Sequence, residues 1–191
     1  MVRTKASQSK ENKLRIIAGD YKGRKLETPL DNRIRPTTDK VKEAIFSIIM
    51  ASLDDAVCLD LFSGTGNLGL EALSRGASKC YFSDNSRASI KLIGQNIDKC
   101  NATEYSVVLA GDYTKNLARI NEKLDIIFLD PPYEDGLYDN CFKLIDEYDL
   151  LNEDGIIVAE HNSSEEMPDE LYGFTKVKER KYGTIIISIY G

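Results

Sequence analysis

The spacing of apolar residues changes along the chain, and each change marks an element. Residues 14–28 hold two short apolar-bearing runs around Gly19-Asp20-Tyr21-Lys22-Gly23, which predicts a small basic hairpin ended by Pro29. After Arg35-Pro36, Thr37 or Thr38 can cap a helix whose apolar positions Val41, Ala44, Ile45, Ile48 and Ile49 keep helical spacing. That stripe predicts a helix packed on the body of the protein. From Ala56 onward, apolar runs alternate with helical segments. The runs cover 57–62, 80–83, 107–110, 124–129 and 155–159, and the helices fill the intervals, ending near Arg75 and Cys100 and covering 113–121 and 137–147. Strands alternating with helices of this length predict a parallel sheet with helices on both faces. The end of the chain breaks the alternation. Runs at 174–179 and 184–190 flank Tyr182-Gly183, which predicts a closing hairpin and an antiparallel pair at that side of the sheet.

Composition narrows the class. A chain of 191 residues with 42% hydrophobic and 29% charged residues can bury a core, which excludes a disordered or fibrous protein. No apolar run reaches the roughly 18 residues a membrane span needs, and the start is polar. The expectation is a cytoplasmic protein without membrane contact. The cysteines, at 58, 80, 100 and 141, form no C-x-x-C pair, and His161 is the single histidine. They read as reduced structural thiols, with no metal expected.

The net charge of -6 argues against a polyanionic partner, but its distribution argues for one. Residues 1–42 contain 12 Lys or Arg against five acids, a local charge of +7, so the remainder carries -13. Such asymmetry points to a basic arm that touches a polyanion, joined to an acidic body with another task.

The candidate chemistry lies at successive strand ends. The first turn reads Asp60-Leu-Phe-Ser-Gly64-Thr-Gly66-Asn-Leu-Gly69, between a predicted strand and a predicted helix. Glycines there let a ligand approach the backbone. Dinucleotide enzymes use the same turn. Asp60 separates the readings, because a carboxylate repels a pyrophosphate and attracts an ammonium group. Asp84 ends the second strand, where an acid can take both hydroxyls of a ribose. Asp112, after Gly111, could accept from the exocyclic amine of adenine. Asp130-Pro-Pro-Tyr133 directly follows the fourth strand. Its prolines, Pro131 and Pro132, stiffen the turn and remove two donors, leaving acceptors for an amino group, and Tyr133 can stack on a planar ring.

Asp-x-Phe-x-Gly-x-Gly-x-x-Gly followed by Asp-Pro-Pro-Tyr resembles the class I S-adenosylmethionine-dependent amino-methyltransferases. More narrowly, Arg15-Ile-Ile-Ala-Gly, Gly23-Arg-Lys-Leu, Arg35-Pro-Thr-Thr-Asp-Lys-Val-Lys-Glu, Leu68-Gly-Leu-Glu-Ala-Leu-Ser-Arg-Gly-Ala and the final hairpin resemble the RsmD family of 16S ribosomal RNA guanine-N2 methyltransferases. The resemblance spans residues 14–190. It implies a Rossmann-like α/β fold with a seven-stranded, mostly parallel sheet of order 3-2-1-4-5-7-6. It also implies methylation of one guanine in the small-subunit RNA during assembly.

Carried over residue by residue, the resemblance implies that Asp60, Gly64 and Gly66 hold the methionine end of S-adenosylmethionine, Asp84 the ribose and Asp112 the adenine, with Phe62 also in the cofactor site. Asp130, Pro131, Pro132 and Tyr133 would hold the target amine. Arg24, Lys25, Arg35 and Thr37 are the expected RNA contacts, and Lys181 with Tyr182 could touch RNA or the cleft rim. The expected organisation is a basic tail over 1–12, an RNA-facing hairpin segment over 13–36 and a methyltransferase domain over 37–191. The expected partner of this monomer is 16S rRNA or the assembling 30S subunit. Where family members often show Glu at the ribose position and an acid two residues later, this chain has Asp84 and Ser86, so its ribose contact differs. Alternatives of the same chemistry act on another RNA, DNA adenine or a protein amide. A non-catalytic cofactor-binding assembly factor is the alternative outside enzymes, and Asp60 with Asp130-Pro-Pro-Tyr133 speaks against a nicotinamide dehydrogenase.

Overall fold

The computed structural model describes residues 14–29, 39–132 and 136–191. Arg35, Thr37, Tyr133 and the tail over 1–12 lie outside the described residues. Strands β1 (Val57–Asp60), β2 (Lys79–Asp84), β3 (Ser106–Ala110), β4 (Leu124–Leu129) and β5 (Leu151–Asn162) are mutually parallel. β6 (Glu170–Leu171), β7 (Phe174–Tyr182) and β8 (Ile185–Tyr190) complete an eight-stranded sheet of order β3-β2-β1-β4-β5-β8-β7-β6. The first seven places match the expected order. The difference is β6, a two-residue strand paired only with Phe174 and Thr175 at the far edge, too short to leave a periodic signal.

Helices α1 (Asp39–Ile48), α2 (Asn67–Ser74) and α3 (Arg87–Cys100) cover one face, and α4 (Tyr113–Leu117) and α5 (Leu137–Glu147) cover the other. β4 shows how one strand serves both layers. Ile126 and Phe128 join Phe46, Leu70 and Ile93 on the first face, while Ile127 and Leu129 join Leu117, Phe142 and Ile145 on the second. An apolar run without polar alternation is what a strand buried on both faces requires.

Local departures from expectation have packing causes. In α1 the buried residues include Lys42 and Phe46 beside Val41 and Ile45, whereas Ala44 and Ile48 are half-buried. α4 stops at Leu117, short of 121. β5 starts at Leu151, four residues early, because Leu151 pairs with Leu124 before an irregularity brings Ile156 opposite Ile126. The N-terminal hairpin is a single antiparallel bridge, Arg15 to Lys25, whose Leu14, Ile16 and Leu26 are buried in the same core as the first three helices.

Candidate active site

Parallel strands put their carboxyl ends on one edge of the sheet, so Asp60, Asp84, Gly111-Asp112 and Asp130 collect there. Asp60 is 3% exposed, and its Oδ2 accepts a hydrogen bond of 3.0 Å from the Gly69 amide, fastening the turn to α2. Burial pushes its carboxyl up to about 7; the Gly69 N–H opposes this, and the charges of Asp130 and Asp84 add to it. Asp84 accepts from the Gly64 amide at 2.9 Å and the Ser86 amide at 2.8 Å, so it shapes the turn as well as facing it. Among the described residues, no Lys, Arg or His forms an ion pair with Asp60, Asp84 or Asp130.

The glycines divide the work of the turn. Gly64 and Gly66 have φ of 55° and 77°, the left-handed region where glycine carries no Cβ penalty, and around Gly64 an added Cβ would meet only open space. That space opens at the strand-end edge, where the Gly64 amide donates to Asp84. Gly69 does the opposite job. A Cβ there would overlap the side chains of Phe82 and Cys80, so its absence lets α2 lie close on β2.

Several polar residues that sequence reading passed over hold this edge together. Ser63 Oγ donates to the Asp60 carbonyl at 2.5 Å and accepts from the Ser83 amide at 3.0 Å. Asn116, 1% exposed, directs Nδ2 at Ser83 Oγ and at the Leu109 and Gly111 carbonyls, over 2.9 to 3.1 Å. The ends of β1, β2 and β3 are thereby tied in one network. The available signal was an Asn one helical turn after Asp112. Asp112 caps α4, accepting from the Thr114 amide at 3.0 Å and from its hydroxyl, and that hydroxyl is the main reason its carboxyl is held below the usual carboxylate range. Phe62 packs on Tyr113 with ring centroids 5.5 Å apart. A cavity of about 390 Å³, lined by Asn85, Arg87, Ile90, Lys91, Ala110 and Gly111, opens beside Asp84.

Asp130 follows β4, with Pro131 buried and Pro132 exposed beyond it. Asp130 is open to solvent on one side, while the atoms around its carboxyl desolvate it and push it up to about 6. Tyr138 of α5 donates its hydroxyl hydrogen to the Glu160 carbonyl on the neighbouring strand, β5. His161 is 3% exposed, its Nε2 is 2.9 Å from Ser188 Oγ and its Nδ1 is 3.0 Å from the Glu165 carbonyl, which places it in the sheet as a structural residue.

The N-terminal segment attaches through a buried ion pair. Lys42 Nζ lies 3.0 Å from Glu71 Oε2 and donates to the Arg15 carbonyl and Asn67 Oδ1. Desolvation lowers the Lys42 pKa against the pull of Glu71. Glu71 in turn accepts from the Ile17 and Ala18 amides. The hairpin turn points away from the strand ends. Asp20 and Tyr21 bond to Ser74 at the end of α2, and Arg24 donates to the Lys99 carbonyl near the end of α3 at 2.9 Å while lying over the Tyr21 ring. Arg24 therefore sits at the end of α3 opposite Asp84, while the outgoing arm of the hairpin returns to the glycine turn, where Asn96 joins the Glu27 backbone to the Thr65 carbonyl at 2.9 Å. The structure therefore gathers Asp60, Phe62, Gly64, Gly66, Asp84, Asp112, Asp130, Pro131 and Pro132, and leaves Arg24 apart, with Lys25 exposed nearby.

A parallel sheet of this order, closed by an antiparallel hairpin and carrying a glycine turn and an acid at successive strand ends, defines a Rossmann-like methyltransferase. The chain belongs to the RsmD family: the model of the family described as conserved hypothetical protein 95 matches residues 14–191. It is 39% identical over 180 residues to the candidate rRNA methyltransferase YlbH of Bacillus subtilis, covering 93% of this chain and 98% of that one. With Ribosomal RNA small subunit methyltransferase D of Escherichia coli K12 it shares 32% identity over 186 residues, 97% and 93% of the two chains. The solved structure of the candidate methyltransferase yhhF from Escherichia coli superposes with a TM-score of 0.84 at 30% identity, covering 93% of this chain and 97% of that one.

Proposed function

We propose that this protein transfers a methyl group from S-adenosylmethionine to the exocyclic N2 of a guanine in 16S ribosomal RNA, acting as a monomer on the assembling small subunit. The observation that carries the reading is the set of three carboxylates, Asp60, Asp84 and Asp130, at one sheet edge without an ion-paired cation among the described residues. S-adenosylmethionine brings an ammonium and a sulfonium, so the donor set suits it, and the open space at Gly64 gives it room. A pyrophosphate would meet repulsion in the same place. When bound, the cofactor supplies a methyl group already activated by the sulfonium.

Asp60 would hold the ammonium end of the cofactor, Asp84 its ribose hydroxyls and Asp112 its adenine amine. Asp130 and the Pro131 carbonyl accept hydrogen bonds from the guanine amine, whose lone pair is delocalised into the ring. Those bonds turn the nitrogen toward sp3 and aim its lone pair at the methyl carbon, so the enzyme acts chiefly by positioning and electrostatics. Forming the N–C bond would break the methyl–sulfur bond, whose electron pair stays on sulfur as a neutral thioether, and the amine nitrogen would shed a proton to Asp130 or water. A paired guanine is out of reach, so the base is unpaired or flipped, and Tyr133 offers its ring as a stacking face.

Tritium transfer from labelled S-adenosylmethionine to 30S subunits from a strain lacking the enzyme, followed by mapping of the labelled nucleotide, tests this. The label should appear at the N2 of a single guanine. Label on protein, on DNA or on a ring nitrogen would overturn it.

A further inference from the structure

An acidic body needs a source of positive charge near its site to hold RNA, and the closing hairpin has one. Asn162 at the end of β5 pairs with Ile185, which pairs across the turn with Tyr182 of β7. β5 runs parallel to β4, so the β7–β8 turn lies at the same sheet edge as Asp130. At about 4.8 Å per strand, β7 stands roughly 14 Å from β4, on the side away from the glycine turn.

β7 carries Lys176, Lys178, Arg180 and Lys181 against one acid, Glu179. Glu179 is occupied. Its Oε2 lies 3.0 Å from Lys176 Nζ and accepts from Ser188 Oγ at 3.3 Å, while Lys176 also pairs with Asp169 at 3.1 Å. Lys178, Arg180 and Lys181 are exposed, and among the described residues none of them pairs with an acid. Among the described residues the outer edge of β7 beyond Thr175 has no strand partner, since β6 reaches only Phe174 and Thr175. Lysines on a bare edge can also serve to deter pairing with another chain. Here, however, three uncompensated positive charges stand within four residues, in a chain of net charge -6, beside the edge where the target base must enter. That is the complement of a phosphate backbone.

We propose that Lys178 and Arg180 on one face of β7, with Lys181 on the other, flank its bare edge as the docking surface for the RNA backbone beside the target guanine, and contribute more to it than the tip of the N-terminal hairpin. This rests on the rRNA reading above. The triple variant Lys178→Gln, Arg180→Gln, Lys181→Gln tests it beside Lys22→Gln, Lys25→Gln, using 30S subunits from a strain lacking the enzyme as probe. The triple variant should bind them about tenfold or more weakly, with the slope of log affinity against log salt reduced by roughly 2 to 3. Its S-adenosylmethionine affinity and melting temperature should stay unchanged, and the Lys22, Lys25 variant should lose less. Unchanged affinity and slope in a triple variant, or aggregation as its only defect, would overturn the proposal while wild-type methylation of the subunits keeps the rRNA reading intact. A wild-type protein that transfers no methyl group to any rRNA or subunit would overturn that reading and the docking surface with it.

Discussion

The sheet edge has two halves that are built differently. On the cofactor side, the ends of β1, β2 and β3 are joined by Ser63, Ser83, Asp84 and Asn116, and each acid there already bonds to a backbone amide. On the substrate side, Asp130 sits beside prolines and open to solvent, and the cations of β7 stand on a strand that, among the described residues, pairs only with β8 beyond Thr175. The contrast fits the two ligands. A small cofactor of fixed shape is best met by a site organised in advance, whereas an RNA loop brings its own geometry and is met by one aimed acceptor and a surface of positive charge.

Changes on the substrate side should alter rate, and changes on the cofactor side should alter affinity and stability. The largest effect expected is from Asp130→Ala, a loss of about a hundredfold or more in single-turnover methyl transfer with S-adenosylmethionine affinity nearly intact. Next is Asp60→Ala, which should weaken the cofactor roughly ten- to a hundredfold in calorimetry, because a charge-assisted contact is worth about 1.5 to 3 kcal/mol.

A pH titration sharpens the same comparison. The ammonium needs Asp60 ionised, and the ligand-free carboxyl titrates at about 7. Affinity should therefore fall as pH drops through 7, approaching about tenfold per unit below it, and a flat profile from pH 8 to 5 would contradict the role given to Asp60. Stability without ligand should move the other way. A pKa raised from 3.8 to about 7 by folding favours the protonated folded form, so stability is lost as pH rises from about 4 through 7, and Asp60→Asn should remove the larger part of that loss, leaving the smaller part that Asp130, pushed up to about 6, contributes. The smallest effect belongs to Asn116→Ala, which strands buried acceptors and should cost about 1 to 3 kcal/mol in thermal unfolding.

Much of this was readable from the chain because the signals are local. The run 124–129 is apolar apart from Asp125 and stops at Asp130-Pro131, so both the strand and its functional end are marked by adjacent residues. The glycine turn between a strand and a helix is marked in the same way. What escaped depends on distant partners. Lys42 is buried in α1, where helical spacing alone puts a lysine outside, because Glu71 on α2 meets it. Arg24 reads as a free cation in a basic segment until the end of α3 is seen to accept its hydrogen bond. The pairing of Glu179 with Lys176 and Ser188, which leaves Lys178, Arg180 and Lys181 without an acid partner among the described residues, depends on contacts across the hairpin.

The central claim is that Asp130 aims the guanine amine rather than holding the cofactor, and replacing it by Asn tests this most directly. The amide oxygen of Asp130→Asn can still accept a hydrogen bond although the charge is gone. Single-turnover methylation of 30S subunits, measured at saturating S-adenosylmethionine for the Asn and Ala variants beside their cofactor affinities, should show Asn clearly faster than Ala, with both binding the cofactor normally. Equal inactivity of the two would make Asp130 an essential charged proton acceptor. A large loss of cofactor affinity with normal transfer at saturation would place it in the other half of the site.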